Sequence, residues 1–410
     1  MNFPQVNGHR LLRRIQELGQ IGCLPGGGGT RLALTDEDKQ GRDLIVGWFA
    51  EAGASVYVDK IGNIYGVLGG SVDTPPIMTG SHIDTVSRAG FLDGCYGVIA
   101  GVELLQAIGE SGLTPDKPIA VTVFSNEEGV RFSPDLLGSR VIAKDIALDE
   151  ALAVETRDGK SFQSELQRIG YAGEIEPWKF IPESFLELHI EQGPVLEATE
   201  TQVGVVEALQ GHSWWQVEIV GCANHAGTTP MHLRKDAGVA AMQLACRLQE
   251  YSALDHLPNV TTVGTFALEP NAVNVVPGKA KFTIDFRDSD DGQLRKADAL
   301  LQSEVMKLQE QGFEVKLQTL SKAMSVKFDE GLCSLLQGVT ESIGASNRRI
   351  VSGASHDAQM ISRACPSAML FVQSSKGISH NPKENTPDDD LVLGAQILAN
   401  AMWTLATSKS

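Results

Sequence analysis

Between about residue 40 and residue 206 the apolar positions switch repeatedly between a helical spacing and short continuous runs. The segments "GRDLIVGWFAEAG" and "YGVIAGVELLQAIGESG" recur as helices do, whereas "PPIMTG", "IAVTVFS" and "SFLELHI" are compact apolar runs that predict buried strands. This alternation predicts an open, mostly parallel sheet covered by helices, and such sheets bind ligands at the carboxyl ends of their strands. Past residue 208 the texture changes. "WWQVEIVG" alternates like a half-exposed strand, "DAGVAAMQLACRLQEYS" is helical, "VTTVGTFAL" and "AKFTIDFRD" are strands, "GQLRKADALLQSEVMKLQEQG" is a long amphipathic helix and "FEVKLQTL" is a last strand. That β-α-β-β-α-β order predicts a small α+β, ferredoxin-like domain with its helices on one face of an antiparallel sheet. After about residue 326 the first pattern returns, with "CPSAMLFVQS" as a buried strand. The expected organisation is an α/β domain built from residues 1–208 and 326–410, with residues 209–325 inserted into it. The run "LPGGGGTRL" reads as a flexible loop by composition.

With 410 residues and 42% hydrophobic content, the chain has enough apolar material for a large core, and two domains suit its length. No apolar run approaches the ~20 residues that span a bilayer. The segment "MNFPQVNGHRLLRRIQELGQ" lacks the apolar stretch of a secretory signal, so a cytoplasmic address without a membrane partner is expected. The six cysteines are scattered without a C-x-x-C pair, which predicts reduced core thiols rather than a disulfide frame or a thiolate zinc site. A net charge of −17 disfavours a nucleic-acid partner, because a phosphate backbone needs a basic face. Small molecules are the expected partners.

Four segments place a metal-binding side chain just where a predicted strand ends: "GSHID" with His82, "FSNEEG" with Glu127 and Glu128, "LELHIEQG" with His189, and "GISHNP" with His380. Singly, a histidine at a strand end is commonly a structural hydrogen-bonding residue, and a Glu-Glu pair is commonly a solvated turn. Together they form a set. Imidazole nitrogen and carboxylate oxygen are ligands for Zn, Mn, Co or Ni, and two adjacent carboxylates after a buried strand repel unless a cation or a shared proton offsets the cost. The stretch "TGSHIDTVSRAGFLDGCYG" adds Asp84 and Asp93 in a glycine-rich loop.

In "GSHIDTV", "FLDG", "EEGVRF", "ELHIEQG", "NHAGTTPM", "NVVPG" and "GISHNP", taken in this order, the chain resembles the dinuclear-metal M20 amidohydrolases, in the branch of N-carbamoyl-L-amino acid hydrolases, allantoate amidohydrolases and β-ureidopropionases. The likeness covers nearly the whole chain. It implies two divalent metal ions per subunit, one on His82 and His189 and the other on Glu128 and His380, with Asp93 bridging both. It implies that Asp84 fixes the tautomer of His82 and that Glu127 is the general base, a proton carrier beside two cations that polarise the scissile carbonyl.

For the substrate, the resemblance implies contacts from Gln192 on a helical turn after His189, and from His356, Asn274 and Arg287, the last two holding a carboxylate. His225 becomes an oxyanion donor from a lid and dimerisation domain, with a homodimer expected. Arg287 has an alternative as a surface ion pair with Asp285 or Asp288, and His212 is divided between a site and a structural role. His9, His232 and His256 read as surface residues. The implied activity is hydrolysis of the carbamoyl amide of an N-carbamoyl-L-amino acid, giving the amino acid, ammonia and carbon dioxide. Allantoate or a related ureido acid is the nearest alternative. An N-acyl amino acid deacylase or aminopeptidase stands further off, and a binding module without activity would need a missing base or ligand.

Overall fold

In a computed structural model, described over residues 3–71, 73–254 and 260–408, the chain divides into two compact units, Met1–Glu207 with Phe328–Ser410, and Ala208–Lys327. In the first unit, the strands Ile119–Phe124, Ile77–His82, Ser184–Ile190 and Ser367–Val372 lie side by side in that order and run parallel. All of their residues are buried, as expected for strands covered on both faces. The helices Cys95–Ser111 and Asp388–Thr407 supply part of that cover and pack on each other.

The sheet is mixed rather than mostly parallel. Ser55–Val58 and Ile64–Leu68 pair antiparallel, Ile64–Leu68 runs antiparallel to Ile119–Phe124, and Val203–Leu209 runs antiparallel to Ser367–Val372. The first two strands are joined by a short turn, which can only return the chain antiparallel. The parallel part is therefore the central quartet. Each fully buried Val, Leu, Ile or Phe contributes about 1.5–3 kcal/mol. The quartet is thus held by packing, and the loops at its carboxyl edge can carry groups that cost stability.

The run "LPGGGGTRL" is pinned rather than free. Gly29 and Ala89 exchange backbone hydrogen bonds of 3.0 and 2.9 Å, and the buried Arg31 donates from Nε to the Ile83 carbonyl at 2.8 Å. The glycine run thus braces the segment that follows His82. Of the six cysteines, all unpaired, Cys95, Cys333 and Cys365 are buried, but Cys23, Cys222 and Cys246 are exposed and are not core thiols. Scattered spacing in sequence does not report depth.

The second unit has a four-stranded antiparallel sheet in the order Glu314–Ala323, Gly211–Val220, Lys279–Asp288, Val260–Glu269. Alternation sets its inner face. Trp215, Val217 and Ile219 from one strand and Ala280, Phe282, Ile284 and Phe286 from its neighbour form one core with the helices Ala237–Ala253 and Asp291–Glu310. Each helix begins at an aspartate: Asp236 accepts from Val239 N at 3.1 Å and Asp290 from Gly292 N at 2.7 Å. Asn224–His225 and Val275–Val276 form a separate two-stranded ribbon. Among the described residues no helix is long and apolar enough to cross a membrane.

Candidate metal centre

Because the quartet is parallel, the carboxyl ends of its four strands share one edge, and the loops leaving that edge bring together side chains far apart in sequence. His82 is the last residue of its strand and His189 the next to last of its own. Glu127 and Glu128 follow Phe124 in an irregular turn entered through Asn126, at φ 56°. Asp93 lies in the loop before the helix Cys95–Ser111, and His380 lies in a loop beyond Ser367–Val372, at φ 52°. Glycine is required after Asp93: Gly94 has φ 65°, and a Cβ there would stand 2.3 Å from His82 Nε2.

The two oxygens of Asp93 face different partners. Oδ1 lies 3.2 Å from His189 Nε2 and 3.8 Å from His82 Nε2, whereas Oδ2 lies 2.9 Å from His380 Nε2, which is itself 3.6 Å from Glu128 Oε2. Of four groups among the described residues able to hold a cation, two share the Asp93 carboxylate, His82 with Asp93 and His189, and Asp93 with Glu128 and His380; the others are His82 with Glu127 and Glu128, and Glu187 with His189 and His356. The His82 and His189 side chains are almost fully buried, while that of His380 is 50% exposed. His189 Nδ1 donates to the Ile190 carbonyl at 2.8 Å, and His82 Nδ1 donates to the Asp84 carbonyl at 2.9 Å. In both rings this leaves Nε2 unprotonated, and that of His189 accepts Gly94 N at 3.0 Å.

The acceptor that orients His82 is therefore the main chain of Asp84, not its carboxylate, whose Oδ1 is 3.8 Å away. The carboxylate instead accepts Glu127 N at Oδ1 and Glu128 N at Oδ2, each at 3.2 Å. A buried acid thus cradles the backbone of the Glu-Glu turn. Burial and the nearby Asp38 push the Asp84 carboxyl up to about 7. Asp38 in turn pairs with Arg42, which also donates to Ser125 Oγ at 3.1 Å and so braces the entry to the same turn.

Glu127 Oε2 lies 3.5 Å from His82 Nε2. Burial, then Glu128 and then Asp357, hold the Glu127 carboxyl well above the usual range; burial, then Asp93 and Asp84, raise Glu128 to about 10. Asp93 moves the other way. Burial acts to raise it, but the adjacent imidazoles of His189 and His380 outweigh that and hold it well below. A cavity of about 200 Å³ opens on these groups, lined by Asp93, Glu127, Glu128, Asp135, Gln192, Ala354, Ser355, His356 and His380, with no lysine or arginine among the described lining residues. Converging carboxylates and imidazole lone pairs, desolvated and without a protein cation, fit divalent metal ions.

Gln192 lies in a bend at φ 56° rather than on a helical turn; the helix there begins only at Val195. Its Nε2 donates to Asp93 Oδ2 at 2.9 Å and to Ser379 Oγ at 3.2 Å. His356 is buried, its ring 4.5 Å from that of His189, with burial holding its imidazole well below the usual range. His225, Asn274 and Arg287 belong to the second unit. The exposed His225 accepts Gly227 N and Thr228 N at Nδ1, at 3.0 and 3.2 Å, so its proton sits on the outward Nε2. Asn274 is beside it, its carbonyl accepting Ala226 N at 3.0 Å. Arg287 is engaged by Asp285 at 3.0 Å, and His212, directly across the strand pair from it, lies 2.8 Å from Ser321 Oγ. His9 and His232 are exposed, and His256 lies outside the described residues.

Three buried or half-buried acids escaped the sequence reading. Glu187 accepts Ser81 Oγ at 2.7 Å and Ala358 N at 2.8 Å behind His189, and Asp357 accepts Ser139 Oγ at 2.6 Å. Glu384 joins the Asp93 loop to the His380 loop. Glu187 was open to detection, as a carboxylate inside the apolar run "SFLELHI" on the same strand face as His189.

Such a centre on a central parallel quartet is that of a metal-dependent hydrolase, and the comparison with known proteins agrees. The chain belongs to peptidase family M20/M25/M40, whose model matches residues 78–404. It is 36% identical over 404 residues to the N-carbamoyl-L-amino-acid amidohydrolase of Rhizobium meliloti, covering 98% of this chain and 97% of that one. The ureidoglycolate hydrolase of Arabidopsis thaliana is 33% identical over 98% of this chain and 87% of its own. The crystal structure of an amidase of the hydantoinase/carbamoylase family from Burkholderia multivorans superposes with a TM-score of 0.96 at 40% identity, covering 99% of this chain and all of that one.

Proposed function

We propose that this protein hydrolyses the carbamoyl C–N bond of N-carbamoyl-L-amino acids, giving the L-amino acid, ammonia and carbon dioxide. The observation that carries the reaction class is the division of Asp93 between two groups of ligands, and full-length likeness to N-carbamoyl-L-amino-acid amidohydrolases supports the substrate. In this reading His82, His189 and Asp93 would hold one divalent ion, and Glu128, His380 and Asp93 would hold a second, drawn from Zn, Mn, Co and Ni. When bound, the ions polarise the carbamoyl carbonyl and lower the pKa of water.

The chain's own groups do the rest. Glu127 is excluded from both Asp93 groups and takes the proton of the attacking water, then delivers it to the leaving nitrogen. Asp84 holds the turn that keeps Glu127 and Glu128 on their separate tasks. Gln192 and His356 line the cavity and contact the substrate. Residues 209–325 act as a lid and dimerisation domain of a homodimer, with Asn274 and Arg287 binding the substrate carboxylate and His225 presenting its Nε2–H to the oxyanion. The three exposed, unpaired cysteines support a reducing, cytoplasmic setting.

A second reading, hydrolysis of allantoate or ureidoglycolate, is favoured by the likeness to plant ureidoglycolate hydrolases. Ammonia release from N-carbamoyl-L-amino acids, N-carbamoyl-β-alanine, allantoate and ureidoglycolate, with each metal supplied in turn, separates the two. Turnover of N-carbamoyl-L-amino acids with the highest kcat/KM is the expected result; preference for allantoate or ureidoglycolate replaces the first reading with the second.

A further inference from the structure

His380 is held differently from the other ligands. It sits in a loop rather than at the end of a strand, its backbone is in the left-handed region at φ 52°, and Lys376 and Gly377 a few residues earlier are also left-handed, at 60° and 64°. A half-exposed imidazole on strained backbone needs some other restraint to meet a metal with a fixed geometry.

We propose that Glu384 is a positioning residue that ties the His380 loop to the Asp93 loop and thereby sets the affinity of the His380 side of the metal centre. Its Oε1 accepts Leu92 N at 3.0 Å and Asp93 N at 3.2 Å, and its Oε2 accepts Ser379 Oγ at 2.9 Å, on the residue next to His380. Ser379 Oγ also receives Gln192 Nε2 at 3.2 Å, and the same nitrogen reaches Asp93 Oδ2 at 2.9 Å. Asp93 Oδ2 is the atom 2.9 Å from His380 Nε2, so the circuit of contacts closes on the ligand pair itself. Both oxygens of Glu384 are occupied by the protein, which assigns it to holding the ligands in place.

The opposite loop is shaped to admit this carboxylate. A Cβ at Gly90 would stand 2.3 Å from Glu384 Oε1, and Gly90 does not have a left-handed φ, so space for Glu384 explains the glycine in "RAGFLDG" where backbone freedom does not. Gly90→Ala therefore displaces Glu384 without touching it chemically. This gives a second, independent way to break the circuit.

The inference rests on the metal reading above and is tested on the full chain by zinc competition against a chromophoric chelator, with melting temperatures taken with and without zinc. Wild type is expected to bind two equivalents. Glu384→Ala and Gly90→Ala should each weaken one of the two sites by about 10–100-fold, the range for loss of an outer partner of a metal ligand, and leave the other within about threefold. Glu384→Gln keeps the volume and one acceptor oxygen; it should weaken the same site by a smaller factor, and it carries the test if the alanine variant does not fold. A purely structural Glu384 would lower the melting temperature equally with and without zinc and leave both affinities unchanged, and that result overturns the proposal. Equal weakening of both sites also overturns it, since the defect would then lie in Asp93 rather than His380. Failure of wild type to bind zinc or manganese defeats the metal reading itself, and this inference with it.

Discussion

Asp84→Asn tests whether the buried carboxylate acts on the Glu-Glu turn or on His82. Both of its oxygens accept a backbone N–H, Glu127 N and Glu128 N, at 3.2 Å. In the variant one oxygen becomes an NH2 facing an N–H. Assayed well above the Asp84 value of about 7, where the carboxylate is ionised, one hydrogen bond to a charged acceptor is lost, about 1.5 kcal/mol at the weak end suited to these long contacts, and a buried N–H is stranded at about 1–2 kcal/mol. The sum, about 3 kcal/mol, falls on the turn that presents Glu127 to the cavity. If it is expressed in the transition state it amounts to a loss of about 100-fold in kcat. The His82 hydrogen bond is to the main-chain carbonyl of Asp84, which the substitution retains. The 15N shifts of the His82 ring in metal-free protein should therefore still report a proton on Nδ1, while kcat on an N-carbamoyl-L-amino acid falls. A changed His82 tautomer, or kcat within threefold of wild type, would refute the role given to the carboxylate.

Chelation should abolish activity while leaving the far-UV dichroism of the protein unchanged, because the quartet is packed by apolar contacts rather than by the ligands; recovery should require two metal equivalents per chain, and full turnover with one would contradict a bridging Asp93. Glu127→Gln should keep its metal and lose at least ~100-fold in kcat, whereas Glu128→Gln should lose metal in an elemental analysis, and the reverse outcome would exchange base and ligand. If His225 serves the neighbouring subunit's site, mixing inactive His225→Ala and Glu127→Gln chains should restore activity in heterodimers; no recovery after verified subunit exchange would reject a shared site.

The strands of the quartet were legible because a strand buried on both faces is largely apolar, and a histidine at the end of such a run stands out. Asp93 and His380 have no such background. His380 was expected at the end of a strand, but the strand Ser367–Val372 stops well short of it; both residues lie in loops, where the motifs around them mark them. The direction of the flanking strands was not legible, since an apolar run has the same pattern whichever way its neighbour runs, and the turn between Val58 and Ile64 decides the matter. Asp84 was found as a residue and misread as a contact. Its carboxylate binds backbone amides 43 and 44 positions away, and amides leave no signature in a sequence.

The same distinction explains why the supporting acids went unseen while the ligands did not. A metal ligand must be one of a few residue types at a place dictated by the ion, so the motif carries the chemistry. Glu187, Asp357 and Glu384 serve main-chain or hydroxyl donors, a task many folds perform at many positions. Their effect depends on place: they surround a site in which Glu127 is already pushed upward by burial and by Glu128, and Glu128 by burial and by Asp93 and Asp84. Adding uncompensated acids there weakens the metal-free protein unless each is tied down by donors, and Glu187 and Glu384 are. Donors of the fold thus hold Glu187 and Glu384 in place around the candidate ligands, the support that a site of fixed geometry requires.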